Sequence, residues 1–224
     1  MLSAVMEDYV KAIYELQVES DDRVSTSAIA QRLDVTPPTV TSMLESLEER
    51  ELIDRKKYAG VRLTGDGERV ALEIIRHHRL LEAYLTEHLD YSWEEVHEEA
   101  DRLEHHISEE FEARVAAALD HPQADPHGDP IPNAELERPD ERAGATLLEF
   151  EELDEVEVLR VRDRDPEVLE YLAERGIEPG TLLRIEEVAP FGMMTLRPTD
   201  ATDTVSLPEA VAVGVRVKPI GKEQ

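Results

Sequence analysis

The sequence predicts a mainly α-helical chain with a C-terminal β part: an N-terminal winged helix-turn-helix, a helical middle and a small β-barrel. Three observations predict it. Apolar residues recur at helical spacing through the first half, and short apolar runs broken by Gly, Pro and Asp fill the last third. A proline-rich stretch separates the two.

Leu2, Val5, Tyr9, Ile13 and Leu16 predict an amphipathic helix over about residues 3–19, ended by a polar Ser-Asp-Asp-Arg stretch. Ser25-Thr26-Ser27 offers an N-cap to a short helix ending near Asp34. Thr36 is placed to cap the next helix, with Pro37 tolerated at its first position. That helix carries Val40, Met43, Leu44 and Leu47 on one side and ends near Arg50–Glu51. The basic stretch RKKYAGVRL then predicts two short strands around Tyr58-Ala59-Gly60, a wing. Gly65 and Gly67 open a long helix, about 66–89, with Val70, Ile74, Leu81 and Leu85 inward, and Tyr84 also reads as core. Ser92 is expected to cap another helix, about 93–118. Five prolines from Pro122 to Pro139 exclude regular structure, so residues 121–144 read as a linker. Beyond Ala145, strands are expected near 155–161, 182–188, 192–197, 204–207 and 214–218, interrupted by one helix near 166–175.

A length of 224 residues suits one large domain or two to three small ones. With no cysteine, disulfides, iron–sulfur clusters and cysteine-rich zinc sites are excluded, and a metal ion would need His, Asp, Glu, Met, backbone or water. The N-terminus lacks the basic-then-apolar pattern of a signal peptide, and no apolar run approaches the roughly 18 residues of a membrane span, so no membrane association and a cytoplasmic location are expected.

The net charge is −28, with five Lys against nineteen Arg and the acids spread over the whole length. Such a charge opposes binding to a polyanion. It suits a halophilic surface, adapted to molar salt, where the Debye length falls to about 3 Å and self-repulsion is screened. The unfolding temperature is therefore expected to rise from low to molar KCl, and equal values in both would dismiss the salt-adapted reading. The charge is uneven: residues 1–64 carry a net −4, residues 65–142 carry −15 and residues 143–224 carry −9. Arg50, Arg55, Lys56, Lys57 and Arg62 fall within thirteen residues of the least acidic third, where phosphate contact is expected.

In a winged helix-turn-helix, residues at the start of the second helix face base edges in the major groove. Here these are Thr36, Pro38, Thr39, Thr41 and Ser42. Threonine methyls can meet thymine methyls and hydroxyls can bond bases or phosphates, but no Arg, Asn or Gln lies on that face. Direct readout should be sparse, leaving DNA shape to carry much of the specificity. Arg55, Lys56, Lys57 and Arg62 of the wing would hold phosphates. The competing reading is a winged-helix domain used for protein contacts.

Three histidines, His78, His97 and His105, lie near acids at helical spacing. His78 and Glu82 are four residues apart, and His97, Asp101, Glu104 and His105 form one stripe. Asp8 can close a site with the last three from the first helix. Two clusters emerge, Asp8/Asp101/Glu104/His105 and His78/Glu82/His97, rich in oxygen with one or two imidazoles. That donor set favours Mn²⁺ or Fe²⁺, while Zn²⁺ or Co²⁺ would bind it as surrogates. Solvated salt bridges are the plain alternative. His77, His106, His121 and His127 gain no such support and read as surface or linker residues.

These residues carry a resemblance to the diphtheria-toxin-repressor/manganese-transport-regulator (DtxR/MntR) family of metal-dependent repressors. It rests on MEDYVKAIYEL at 6–16, VTPPTVTSMLESLEERELI at 35–53 and LTGDGE at 63–68. RHHRLLEAYL at 76–85, VHEEADRLEHH at 96–106 and PHGDPIP at 126–132 continue it. The resemblance implies a DNA-binding domain over 1–64, a helical metal-binding and dimerisation domain over 65–140 and an SH3-like (FeoA-like) barrel over 145–220. It implies a repressor of metal-uptake genes that grips a double-stranded palindromic operator as a homodimer. The primary site would be Asp8, Asp101, Glu104 and His105, and the ancillary site His78, Glu82 and His97. Carboxylates at 8 and 101 match the manganese type. Lys11 stands where manganese-type members can carry a ligand Glu, Asp165 and Val168 stand where iron-type members lend barrel ligands, and Ser42 replaces their recognition-helix Gln.

An enzyme is disfavoured. His97-Glu98 is followed by Asp101 where a zinc protease needs its second His, and no phosphate-cradling Gly-rich loop or GxSxG turn is present. The alternative within regulators is a winged-helix protein answering to another ligand, with the His/acid clusters only structural.

Overall fold

The computed structural model describes residues 2–20, 22–162, 165–190, 192–199 and 201–220. The chain forms two compact units. The first comprises Met1–His78, Arg102–Glu112 and Ile131–Pro139, and the second Arg79–Asp101, Ala113–Pro130 and Asp140–Gln224.

In the first unit the expected apolar stripe forms α1 (Ala4–Ser20), burying Tyr9, Val10, Ile13, Tyr14 and Val18. Ser25 caps α2 (Thr26–Arg32) by accepting from the Ala28 N–H at 3.1 Å. Asp34 turns left-handed at φ +50, and the Val35 N–H reaches back to the Ala30 carbonyl, closing α2 and aiming α3 (Pro37–Glu49). Thr36 occupies the N-cap of α3 in extended conformation but makes no capping bond, because its hydroxyl pairs with that of Thr39 at 2.8 Å. Ile13, Ile29, Val40, Leu44, Leu47, Val61 and Ile75 are almost completely buried in one core. Leu136 packs on that core and Arg76 donates to the Pro132 carbonyl.

The wing pairs β1 (Ile53–Lys56) with β2 (Gly60–Leu63) antiparallel. Val24 bridges to Val61 through two backbone hydrogen bonds of 2.8 and 2.9 Å. Gly60 at φ +96 permits this close approach, since a Cβ there would lie 2.4 Å from the Val24 carbonyl oxygen.

The long helix is α4 (Gly65–Leu89). The single helix expected over about 93–118 is instead two, α5 (Val96–Leu103) and α6 (Glu109–Ala118). Ser108 is the reason. Its hydroxyl accepts from the Phe111 N–H and its carbonyl from the Glu112 N–H, with Glu109, Glu110 and Glu112 in the first turn, so α6 starts afresh after a turn. Ser92 spends its hydroxyl on Glu95 instead of capping a helix.

In the second unit six antiparallel strands run in the order β3-β8-β4-β5-β6-β7. They are β3 (Ala145–Thr146), β4 (Glu155–Val161), β5 (Leu182–Ala189), β6 (Met193–Pro198), β7 (Val205–Pro208) and β8 (Val215–Pro219). These strands make up the expected small β domain, with β3 and β7 at the two ends of the strand order. Alternate residues such as Val156, Val158, Leu183, Ile185, Met194 and Leu196 fill its core. α7 (Pro166–Ala173) covers it, capped by Asp165, and the short α8 (Glu209–Ala212) precedes β8.

Residues 121–144 hold no helix or named strand, as expected, but they are no free linker. Asp125, His127, Ile131 and Glu141 are buried. A register shift in β4 between Val158 and Arg160 accompanies burial of the Arg160 guanidinium, which donates to Asp129 at 2.9 Å and to Glu141 at 3.3 Å. Gly128 at φ +85 lies so close to β4 that a Cβ would sit 2.1 Å from the Leu159 oxygen. No described helix is long and apolar enough to cross a membrane.

Candidate metal centres and DNA-facing surface

Asp8 on α1 meets Glu104 and His105 on the turn after α5, with one ligand atom from each within 4.8 Å of the others. His105 Nε2 lies 2.9 Å from Asp8 Oδ1 and 3.4 Å from Glu104 Oε1. Its Nδ1 faces Glu7 Oε2 at 2.7 Å, so a proton there donated to Glu7 leaves Nε2 turned toward the cluster. Glu7 was not among the residues singled out from sequence, although its spacing to Asp8 marks the same helix end. Glu104 is 1% exposed. Burial alone would push its carboxyl up, but the His78 hydrogen bond and the Lys11 charge hold it below the usual range. Asp8 is pushed up, by burial first, with Glu104 adding to it against His105 and Lys11.

His78 turns its Nδ1 to Glu104 Oε2 at 2.6 Å. Asp101 is exposed, with Oδ2 at 3.6 Å from His97 Nε2. Because α5 ends at Leu103, Glu104 and His105 leave the helical stripe that spacing had drawn through Asp101.

His77 is buried instead of exposed, joining the Glu104 carbonyl oxygen at 3.1 Å to Glu112 Oε2 at 3.1 Å. Burial would lower its pKa, yet the Glu112 bond prevails and raises it.

The second unit holds another cluster. Glu82 meets His97, Oε1 to Nδ1 at 2.9 Å. Glu82 also converges with Asp125 and His127, one ligand atom of each within 4.8 Å of the others, all three buried. His127, read from sequence as surface or linker, is thus 6% exposed. Asp125 Oδ1 accepts from the backbone N–H groups of His127 and Asp129, each at 2.9 Å, in a turn closed by Gly128. Trp93 stacks on the His127 ring, and His127 Nε2 lies 2.9 Å from the Trp93 carbonyl oxygen. Burial pushes Asp125 well above the usual carboxylate range, helped by Glu82 and Asp129. His127 is raised to about 8, since the Glu82 carboxylate outweighs the burial that would lower it. The Asp-Pro-His-Gly-Asp turn was the available signal: an aspartate three residues before a glycine, with a proline and a histidine between. Asp165 spends a carboxylate oxygen on the Glu167 N–H.

Of the residues expected to face DNA, Thr36, Pro38, Thr39 and Ser42 are exposed. Thr41 is half-buried and donates its hydroxyl to the Pro37 carbonyl oxygen at 3.0 Å. Lys56, Lys57 and Arg62 are exposed, while Arg55 is half-buried near Glu45. The wing tip presents Tyr58, 96% exposed and with Lys57 over its ring, an exposed aromatic that charge counting passed over.

A helix-turn-helix with a basic wing, joined to helices that gather carboxylate–imidazole clusters, defines a DNA-binding transcription regulator. The family model for the N-terminal DNA binding domain of the iron dependent repressors matches residues 1–61. The model for their metal binding and dimerisation domain matches 64–133, and a FeoA domain model matches 145–219. The chain is 31% identical over 225 residues to the iron-dependent repressor IdeR of Mycobacterium tuberculosis (strain ATCC 25618 / H37Rv), covering 96% of each. It is 38% identical over 103 residues to the HTH-type transcriptional regulator MntR of Oceanobacillus iheyensis, covering 46% of this chain and 69% of the relative. A solved manganese-dependent transcriptional repressor in complex with manganese superposes with a TM-score of 0.88 at 38% identity, covering 96% of this chain and 100% of that one. The chain belongs to the iron-dependent repressor family, metal-dependent repressors of transcription and not enzymes.

Proposed function

We propose that this chain is a Mn²⁺- or Fe²⁺-responsive repressor of metal-uptake genes that acts as a cytoplasmic homodimer on a palindromic operator. The carrying observation is the convergence of Asp8, Glu104 and His105, two carboxylates and an imidazole, from α1 and the turn after α5. The donors fit a divalent ion: they are oxygen-rich, contain no sulfur, and lie partly out of water. That chemistry favours Mn²⁺, as does the manganese complex of the structural relative. Asp8, Asp101, Glu104 and His105 are assigned to the first site. Glu82, His97 and His78 are assigned to the second, to which the buried Asp125 and His127 add a rival ligand pair around Glu82.

A bound cation supplies the positive charge that lets Asp8 and Glu104 share one site. The residues do the rest. Asp8 belongs to α1, and α1 shares its core with α2, α3 and the wing. Fixing Asp8 against Glu104 and His105 therefore restricts where Thr36, Thr39 and Ser42 and the wing point. Such coupling contributes ~1–3 kcal/mol to operator affinity, and operator must tighten metal binding equally.

Operator binding titrated with Mn²⁺, Fe²⁺, Zn²⁺ and Co²⁺ in molar salt, with and without chelator, tests the reading. Metal-stimulated, chelator-reversed binding is expected, and occupancy indifferent to EDTA would overturn it. Replacing Lys56, Lys57 and Arg62 by Ala should weaken binding to all DNA sequences alike and reduce the slope of log affinity against log salt by about 3, one for each lost phosphate contact. An unchanged slope would take the wing off the DNA.

A further inference from the structure

The wing carries one large side chain that neither the core nor the expected phosphate contacts use. Lys56 pairs with Gly60 at the end of the β1–β2 ladder, so the tip is Lys57, Tyr58 and Ala59. The Ala59 N–H closes it by donating to the Lys56 carbonyl oxygen at 3.0 Å. Tyr58 is 96% exposed and sits at φ +66. Glycine, asparagine or aspartate fill such a left-handed turn position at little cost, whereas a tyrosine there is strained. Strain of this kind gathers where function uses it. The Lys57 ammonium lies 5.1 Å from the Tyr58 ring centroid.

That tip is held firmly. Arg23 donates to the Asp54 carbonyl oxygen at 2.7 Å and to the Asp54 carboxylate, and Val24 bridges to Val61. Both strands of the wing are thus fastened to the residues that lead into α2. A lone two-stranded hairpin is only marginally stable, so this bracing is what keeps Tyr58 in one place. The Leu52 N–H donates to the Leu47 carbonyl oxygen at 3.0 Å, which joins the wing to the end of α3. With the start of α3 in a major groove, the wing lies over the neighbouring backbone and the minor groove beyond it.

Salt makes such a group valuable. At the molar ionic strength that a net charge of −28 suits, counterion release by Lys56, Lys57 and Arg62 adds little affinity. Burying an apolar ring releases no ions, and screening does not weaken it. Tyr58 is the one aromatic residue between Thr36 and Leu63, the span of α3 and the wing. Resting on the repressor function proposed above, we propose that Tyr58 enters the minor groove of the operator beside the α3 contact. Its ring lies against the sugar edges, and its hydroxyl donates to the adenine N3 and thymine O2 acceptors. The guanine 2-amino group projects into that groove and blocks the ring, so Tyr58 makes the wing select A·T pairs.

The test uses an operator selected from random DNA by the Mn²⁺-loaded full chain. Hydroxyl-radical footprints of wild type and Tyr58→Ala should differ at a few sugars flanking each α3 contact, which locates the base pairs under the wing. In molar KCl, Tyr58→Ala should bind that operator about tenfold more weakly, the partial burial of its ring being lost. The slope of log affinity against log salt should stay as in wild type. Replacing the A·T pairs under the wing by G·C should cost wild type a similar factor. Inosine·C pairs, which lack the 2-amino group but keep the major-groove face of G·C, should restore it, and Tyr58→Ala should bind all three alike. Identical footprints, unchanged affinity in Tyr58→Ala, or a wild type that does not distinguish G·C from inosine·C overturns the proposal and leaves the repressor reading standing. A wild type that selects no operator with Mn²⁺ overturns that reading, and this proposal with it.

Discussion

Glu104→Gln is expected to leave the repressor at its metal-free operator affinity whatever the manganese concentration, a loss of about 5–150-fold from the metal-saturated value. Glutamine keeps the shape but surrenders the charge shared by Lys11, His78 and His105. Asp8→Ala should produce the same loss with less structural damage, since Asp8 is only half-buried. Glu104→Ala goes further, stranding the buried Lys11 ammonium at a cost of about 3–5 kcal/mol in stability. Fluorescence anisotropy on labelled operator, with light scattering to verify the dimer, separates these outcomes. Metal-dependent binding that survives in both Asp8→Ala and Glu104→Gln would remove the assignment of the first centre.

Arg160→Ala should destabilise the second unit by about 3–5 kcal/mol, measured by urea unfolding in molar KCl. Its guanidinium is the interior counter-charge of Asp129 and Glu141 and donates to the Glu141 carbonyl oxygen as well. Arg79 leans on the same acids, with Nη1 2.9 Å from Glu141, and their charges raise its pKa further against the burial that would lower it. Removing Arg160 leaves Asp129 to Arg79 at 3.8 Å and Glu141 to Arg79 and the more distant Arg162 side chain. A change below about 1 kcal/mol would mean that residues 125–141 are not held by this network.

Those two expectations divide along a line that also divides the residues. Glu104 and His105 were visible as candidates because their neighbours in sequence form a helical stripe, and Asp8 because it lies on an amphipathic helix of strong period. Asp101 belonged to the same stripe, yet the turn after Leu103 places Glu104 and His105 by other geometry and leaves Asp101 exposed. A spacing rule holds only as far as the helix does, and Ser108 restarts the helix. His127 and Asp125 were passed over for a different reason. Proline density correctly excluded helix and strand from residues 121–144, but the absence of regular structure says nothing of burial. Their burial depends on Trp93, Glu82 and the neighbouring β4, residues far apart in sequence.

Local patterning by itself determined the helix-turn-helix, the wing, the five longer strands of the second unit and the donor types at hand, because periodicity, caps and turn residues act over a few positions. Tertiary structure alone decided which charges meet: Lys11 on Glu104, Glu7 on His105, His127 beside Glu82, Arg160 between Asp129 and Glu141. Coulomb and hydrogen-bond energies between such groups depend on distance and burial, and neither is defined until the chain has folded.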